Sequence, residues 1–258
     1  MPRPICDMHV HTRFSEDSRE SLEAYCLAAV EKGVGTLCFT EHMDYNPYDN
    51  GYKFYDADAF FEEFNRVKDI YRGKINLLCG LEFGEPHIYK EEFTEYLKYP
   101  YDFIMGTLHW WYKDMFPSQM VKAGVPAEDC YEHYWDEMLK MARAGGFDCL
   151  AHVDFPKRYY GKLIIDEPKV EAIYNALVGN GICIEINTSS IRKGLDETMP
   201  GNSILGIYKA CGGRYVTVGS DAHSAADLAA GADAARGLIA RFGFEEVIFE
   251  GRRMRIIN

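Results

Sequence analysis

No run of uncharged apolar residues in this sequence comes near the roughly 20 that a membrane-spanning helix needs. The longest, around Leu77 to Leu81 and Val216 to Gly219, are far shorter. No apolar stretch and no small-residue cleavage site follow Met1-Pro-Arg-Pro-Ile-Cys-Asp, so no secretory signal is visible; a cytoplasmic address without a membrane partner is expected. The eight cysteines (Cys6, Cys26, Cys38, Cys79, Cys130, Cys149, Cys183 and Cys211) include no CxxC pair. Scattered singly in apolar segments, they suit reduced packing thiols rather than a disulfide framework or a zinc knuckle. No basic run exceeds Arg252-Arg253, and 28 Lys and Arg against 40 Asp and Glu leave a net charge of −12. Such a chain repels a phosphodiester backbone, which excludes long nucleic acid as a partner. No repeat, low-complexity tract or Ser/Gly linker divides the 258 residues, so a single domain over residues 1–258 with a sizeable core is expected. Nothing in the pattern fixes an oligomeric state.

What is present is alternation. Short β-rich apolar runs at Ile5–Val10, Thr36–Thr40, Ile75–Phe83, Phe103–Leu108, Cys149–Val153, Ile182–Asn187 and Tyr215–Gly219 give seven strand candidates. Between them lie helical faces: Leu22, Tyr25, Cys26, Ala29 and Val30 before Gly33; Phe60, Phe64, Val67 and Tyr71 before Gly73; Tyr131, Tyr134, Trp135, Met138 and Ala142 before Gly145; and Val170, Ile173, Leu177 and Val178 after Pro168. This regularity predicts an α/β fold of parallel strands with crossover helices, either a barrel or a doubly wound sheet. Val247–Ile257 reads as a terminal hairpin turning at Glu250-Gly251.

The histidines fall on this scaffold at one kind of place. His9, His11, His42, His109, His152 and His223 sit at or just after the C-terminal end of a strand candidate, and only His87 and His133 fall in helical segments. Glu82 closes the third strand and Asp221 the seventh. Successive strand ends are 27 to 43 residues apart, one β/α unit each, and in a barrel all such ends converge on one face. A period of two puts Asp7, His9 and His11 on one face of the first strand, with Asp7 expected to orient an imidazole rather than to ligate. Imidazoles and carboxylates without thiolates suit Zn, Mn or Fe. Six histidines with Glu82, Asp221 and Asp17 make nine ligands, enough for two to three divalent ions, three if Glu82 bridges two. Water bound to such ions attacks at neutral pH, so metal-assisted hydrolysis is the natural chemistry. Asp17 has an equal alternative, because Asp17-Ser-Arg-Glu20 also reads as a helix N-cap with its capping-box partner. Trp110, Trp111 and Tyr112 are candidates for either a pocket wall or core packing.

Asp7-Met8-His9-Val10-His11-Thr12, Phe39-Thr40-Glu41-His42, Gly80-Leu81-Glu82, Gly106-Thr107-Leu108-His109, Ala151-His152 and Gly219-Ser220-Asp221-Ala222-His223 together resemble the PHP (polymerase and histidinol phosphatase) superfamily. The resemblance spans nearly the whole chain and implies a distorted, TIM-like (β/α)7 barrel with a trinuclear metal centre. It implies that His9, His11, Glu82 and Asp221 hold one ion, Glu82, His109 and His152 a second, and Asp17, His42 and His223 a third. Chains of this length look most like the histidinol-phosphate phosphatases, where arginines after the fifth and sixth strands bind phosphate; Arg158 and Arg192 fit those positions. The stretch from Trp110 to Pro126 departs from that pattern and leaves the leaving group open. The expectation is a metal-dependent phosphomonoesterase acting on a small phosphorylated metabolite, with histidinol phosphate the leading substrate and Glu82 and Asp221 at the chemistry. A PHP phosphoesterase for nucleotides or short oligonucleotides and a non-catalytic metal-binding protein are the alternatives.

Overall fold

A computed structural model describes residues 4–257. Nine strands follow one another around a single sheet in sequence order: β1 Ile5–Val10, β2 Val34–Met43, β3 Asn76–Gly84, β4 Phe103–Thr107, β5 Cys149–Leu150, β6 Cys183–Asn187, β7 Tyr215–Gly219, β8 Glu245–Glu250 and β9 Arg253–Ile256. Pairs from β1 through β8 are parallel, and β8 and β9 form the antiparallel hairpin expected at the C-terminus. The crossovers carry α1 Leu22–Lys32, α2 Ala57–Ile70, α3 Lys90–Tyr96, α4 Pro117–Lys122, α5 Ala127–Ala144, α6 Lys157–Tyr160, α7 Glu167–Gly179, α8 Ser189–Arg192, α9 Asn202–Ala210 and α10 Ala232–Phe242.

The sheet curls until its seventh strand returns to the first. The Asp221 N–H donates to the His9 carbonyl at 2.8 Å and the His11 N–H to the Ala222 carbonyl at 2.9 Å, with a parallel bridge between Val10 and Ala222. That closure exists only at the C-terminal ends. At the other end β7 pairs instead with β8, through Tyr215–Glu245 and Val216–Glu246. The hairpin sends Val247 and Phe249 under the ring, where they pack with Met8, Cys38, Leu78, Phe103, Met105, Cys149 and Cys183. Seven strands closed at one rim and plugged by a hairpin at the other make the distorted barrel, and the open rim is where every strand of the ring ends. Outward-facing Leu37, Phe39, Leu77, Leu81, Ile104, Leu150, Ile184 and Val216 meet the buried faces of α1, α2, α5 and α7. All eight cysteines are free, and all but Cys211 are buried. Among the described residues no helix is long and apolar enough to cross a membrane.

Local differences from the sequence expectation have structural causes. β2 runs to Met43 because its last residues, Glu41 to Met43, pair with Leu81 to Phe83 of β3. β5 shrinks to two residues, since His152 leaves the ladder at φ 21°. His87 lies in the turn before α3 rather than in a helix, and α2 stops at Ile70 rather than running on toward Gly73.

The barrel interior is narrowest at Gly80, whose register partner on β2 is Thr40. A Cβ there would stand 2.8 Å from Thr40 Cγ2 and 3.0 Å from both Cys38 Sγ and the Phe103 carbonyl oxygen. The carbonyl belongs to a hydrogen-bonded strand and cannot move aside. Gly80→Ala is therefore expected to cost about 1–3 kcal/mol through overpacking, read as a lowered denaturant midpoint; a midpoint equal to the parent's would show slack in the ring.

Candidate metal centre and active-site cavity

β1 does not keep the simple period of two. Asp7 pairs with Leu37 and Val10 with Phe39, three residues against two, so a bulge falls within Asp7–Val10. Met8 stays in the barrel interior, and the extra residue brings His9 and His11 to that same interior while turning Asp7 away. Asp7 therefore orients no imidazole, contrary to expectation. Its carboxylate accepts from the Ser220 N–H at 2.9 Å, the Ser220 hydroxyl at 2.5 Å and the Ala229 N–H at 2.8 Å. It fastens the end of β7 to β1.

The role expected of Asp7 is taken by Glu185 on β6. One of its oxygens lies 2.7 Å from His9 Nδ1, and the other accepts from the His152 N–H at 2.9 Å and from Asn187 Nδ2 at 3.2 Å. Sequence reasoning passed over it, although a carboxylate inside Cys-Ile-Glu-Ile-Asn, an otherwise apolar strand, was the available signal. Glu41 was passed over in the same way. It is fully buried and accepts from the Thr12 N–H, the Thr12 hydroxyl and the Ser15 hydroxyl at 3.0, 2.7 and 2.7 Å. Because the Ser15 proton goes to Glu41, the Ser15 oxygen is an acceptor for His11 Nδ1, 3.1 Å away. That fixes the proton of His11 on Nδ1, as Glu185 fixes that of His9.

All nine candidate ligands come together. Glu82 Oε2 lies 3.1 Å from His9 Nε2, 3.4 Å from His11 Nε2 and 3.1 Å from His42 Nδ1, while Oε1 lies 2.9 Å from His152 Nε2 and 3.8 Å from His109 Nε2. Its two oxygens thus face two groups of imidazoles. Asp221 Oδ1 lies 3.6 Å from both His11 Nε2 and His223 Nδ1. Asp17 Oδ2 lies 2.9 Å from His223 Nε2 and 3.7 Å from His42 Nε2. The capping alternative for Asp17 is excluded, since α1 begins at Leu22 and its cap is Ser21, whose side chain accepts from the Ala24 N–H. Burial opposes ionisation of Glu82, Asp17 and Asp221, yet the facing imidazoles, with Arg158 at Asp221, hold all three below the usual carboxylate range.

These contacts are not those of a finished hydrogen-bond network. With their protons on Nδ1, His9 and His11 point bare Nε2 lone pairs at one another across 2.9 Å. His42 Nδ1 and His223 Nε2 are buried and near carboxylate oxygens but find no aligned hydrogen-bond partner. Converging lone pairs and ionised oxygens require positive charge between them. His11, His42 and His223, then His9, His11 and Asp221, then Glu82, His109 and His152 each place donor atoms within 4.8 Å of one another. The donor set fits divalent metal ions, three groups sharing members in one bowl.

The bowl opens into a cavity of about 430 Å³. Arg158 lines it and reaches inward, donating to Asp221 Oδ2 at 2.8 Å and to Ser189 Oγ at 2.6 Å, while its Nε is buried without a partner. Arg192 is not among the lining side chains; it donates to the Ser220 and Asp221 carbonyls at 2.8 and 3.2 Å. Its neighbour Lys193, missed from the sequence, is in the lining. The stretch that departs from the phosphatase pattern builds the opposite wall: Trp110, Phe116, Ser118 and Gln119 all line the cavity, with Trp110 Nε1 donating to Asp49 Oδ2 at 2.7 Å. Trp111 and Tyr112 instead pack outward against Tyr134 and His133. Far from the bowl, His87 pairs with Glu137 at 2.8 Å.

Known proteins share this arrangement. A "Probable histidinol-phosphatase" of Clostridium acetobutylicum is 30% identical over 97% of this chain and 99% of its own, and a "Histidinol-phosphatase" of Lactococcus lactis 27% identical over 96% and 95%. The crystal structure of histidinol phosphate phosphatase from Lactococcus lactis, complexed with zinc, L-histidinol and phosphate, superimposes with a TM-score of 0.81 at 25% identity, covering 97% of this chain and 98% of that one. A putative histidinol phosphatase structure from Listeria monocytogenes, at 16% identity and a TM-score of 0.74, shares the fold. The PHP domain profile matches residues 7–189, and the chain belongs to the PHP domain family.

Proposed function

We propose that the cavity hydrolyses a phosphomonoester with the aid of two to three divalent metal ions, and that the substrate is histidinol phosphate. The observation that carries the reading is the meeting of nine ligand side chains and an inward-reaching arginine in one cavity of this fold. The Lactococcus relative whose structure holds zinc, L-histidinol and phosphate supports the choice of substrate. In this reading His9, His11, Glu82 and Asp221 hold one ion, Glu82, His109 and His152 a second, and Asp17, His42 and His223 a third. Such ions offset phosphate charge and lower the pKa of water to about 7.

The protein's own groups do the rest. Arg158, beside Asp221 and with its Nε unengaged, offers N–H donors to the non-bridging oxygens of the phosphoryl group, and Lys193 adds charge at the mouth. Asp221, kept ionised by Arg158, accepts the proton of the attacking water at Oδ1. Phe116, Phe155 and Trp110 exclude bulk solvent from the reacting centre, where electrostatic interactions are then stronger. Glu185 and Ser15 keep His9 and His11 in the tautomer that leaves Nε2 bare. Arg192 ties α8 to the Asp221 turn, so its part is to place Asp221 and Lys193.

Purified protein is expected to carry two to three equivalents of Zn, Mn or Fe and to lose phosphatase activity with them to a strong chelator. Glu82→Gln should be the most damaging single change, because the two oxygens serve two groups of imidazoles. Elemental analysis finding no transition metal in folded, untreated protein would overturn the reading.

Asp17→Asn is expected to lower metal occupancy and turnover by at least ~10-fold, the lower end of losses at such sites. Since Asp17 caps no helix, the melting temperature of the metal-free protein should be unaffected. Normal metal content in this variant would remove Asp17 from the centre.

Arg158→Ala should cost about 1.5–3 kcal/mol, the worth of hydrogen bonds to a charged group, or roughly 10- to 150-fold in kcat/KM toward phosphomonoesters. Metal content should be retained. The parent should also prefer monoesters strongly to diesters, which present less charge to the guanidinium; equal rates on both would refute a terminal phosphate as the group held there.

A further inference from the structure

The cavity is chemically two-sided. Arg158 and Lys193 come from the segments after β5 and β6, while Asp44 and Asp49 come from the segment after β2. In a ring of seven strands β2 stands across from β5 and β6, so an acidic wall faces the phosphate-binding cations over the centre.

Asp44 is the informative residue of that wall. It lines the cavity, is only 4% exposed, and its Oδ1 has no hydrogen-bond partner. The nearest cationic candidate, His109 Nδ1, is 3.7 Å away, beyond hydrogen-bond reach. The backbone makes room for this oxygen: a Cβ on Gly84 would lie 2.6 Å from Asp44 Oδ1. Beside it Glu85, fully buried and at φ 49°, accepts the His109 and Trp110 N–H groups on Oε1 at 2.6 and 3.0 Å and leaves Oε2 unpartnered. Asp49, by contrast, is fully engaged, with the Gly51 N–H on one oxygen and Trp110 Nε1 on the other. An acidic residue buried at a cavity wall without a donor is costly, and the arrangement is complete only when a ligand brings a cation with N–H groups.

Building on the phosphomonoesterase reading, we propose that Asp44 receives the protonated amine of the leaving group, with the Trp110 ring as the adjoining wall. The cavity thereby selects phosphomonoesters of amino alcohols over those of neutral alcohols. Phosphate and ammonium are gripped from opposite sides of the barrel, which orients the ester between them. Trp110 belongs to the stretch that departs from the phosphatase pattern, so selection rests on residues particular to this chain.

The test compares metal-loaded enzyme on histidinol phosphate and on its desamino analogue, 3-(imidazol-4-yl)propyl phosphate. The parent is expected to favour the amine-bearing ester by at least ~10-fold in kcat/KM, the effect of one hydrogen bond to a charged group. In Asp44→Asn that ratio should fall to about 3 or less. Gly84→Ala, which displaces the Asp44 oxygen while keeping the carboxylate, should lower the ratio in the same direction. A parent that treats both esters alike, or an Asp44→Asn variant that slows both in equal proportion, would overturn the proposal; the second result would assign Asp44 to holding His109. If the parent hydrolyses neither ester, the phosphatase reading fails instead. Calorimetric binding of L-histidinol against 3-(imidazol-4-yl)propanol then decides the subsite separately, with the amine-dependent part lost in Asp44→Asn if the proposal holds and retained if it does not.

Discussion

A single carboxylate, that of Glu82, sets the terms for the upper half of the barrel. It is 1% exposed and stands among five imidazoles, with three grouped about one oxygen and two about the other. An unpaired carboxylate at that depth would be prohibitively costly, and so would a set of imidazoles packed this closely without a counter-charge. The arrangement is tolerable only as a unit in which negative oxygens, bare nitrogens and positive ions balance. The bulge in β1, the extension of β2 to Met43 and the early end of β5 each bring one more group to that balance.

Around this unit runs a ring of acids that touch no substrate. Glu185 and Glu41 hold the protons of His9 and, through Ser15, of His11, while Asp7 joins the end of β7 to β1. Their hydrogen bonds also determine which strands can close on which. Asp7 reaches Ser220 only because the bulge has turned it outward, and the backbone link from Asp221 to the His9 carbonyl lies beside it. The alignment of the metal centre and the closure of the barrel are therefore one set of interactions. Part of the chain's acid excess has this structural use, with buried carboxylates saturated by backbone N–H and hydroxyl donors rather than by lysine or arginine.

Much of this was legible in the sequence, because the barrel turns position along the chain into position in space. The spacing of the strand ends put His11, His42, Glu82, His109, His152 and Asp221 on one rim, and the rim holds them. Asp7 was not legible, since a bulge is a local change of register that leaves no trace in an alternating pattern. Neither were the orienting roles of Glu185 and Glu41, for which a strand sequence shows only an acid among apolar residues. Asp17 stood equally between a cap and a ligand until the helix proved to start at Leu22. Arg192 and Lys193 are adjacent in the chain, and only the path of α8 determines that the lysine faces the cavity while the arginine grips backbone carbonyls.

The strained residues show where the fold's rigidity is used. Asp221 at φ 52° and Glu85 at φ 49° both sit just past a strand end, in a region that costs a non-glycine residue on the order of 1 kcal/mol or more. Each is held there by the ladder next to it: the Asp221 N–H by the His9 carbonyl at 2.8 Å, the Glu85 N–H by the Thr107 carbonyl at 2.9 Å. Turning back at these points keeps Asp221 in reach of His11, His223 and Arg158, and lets the Glu85 carboxylate bind the backbone of His109 and Trp110. A loop free to relax would release both strain and geometry. Hydrogen bonding to neighbouring strands prevents that relaxation, so the positions of the reacting groups are fixed before any substrate arrives, and binding energy need not be spent on ordering them.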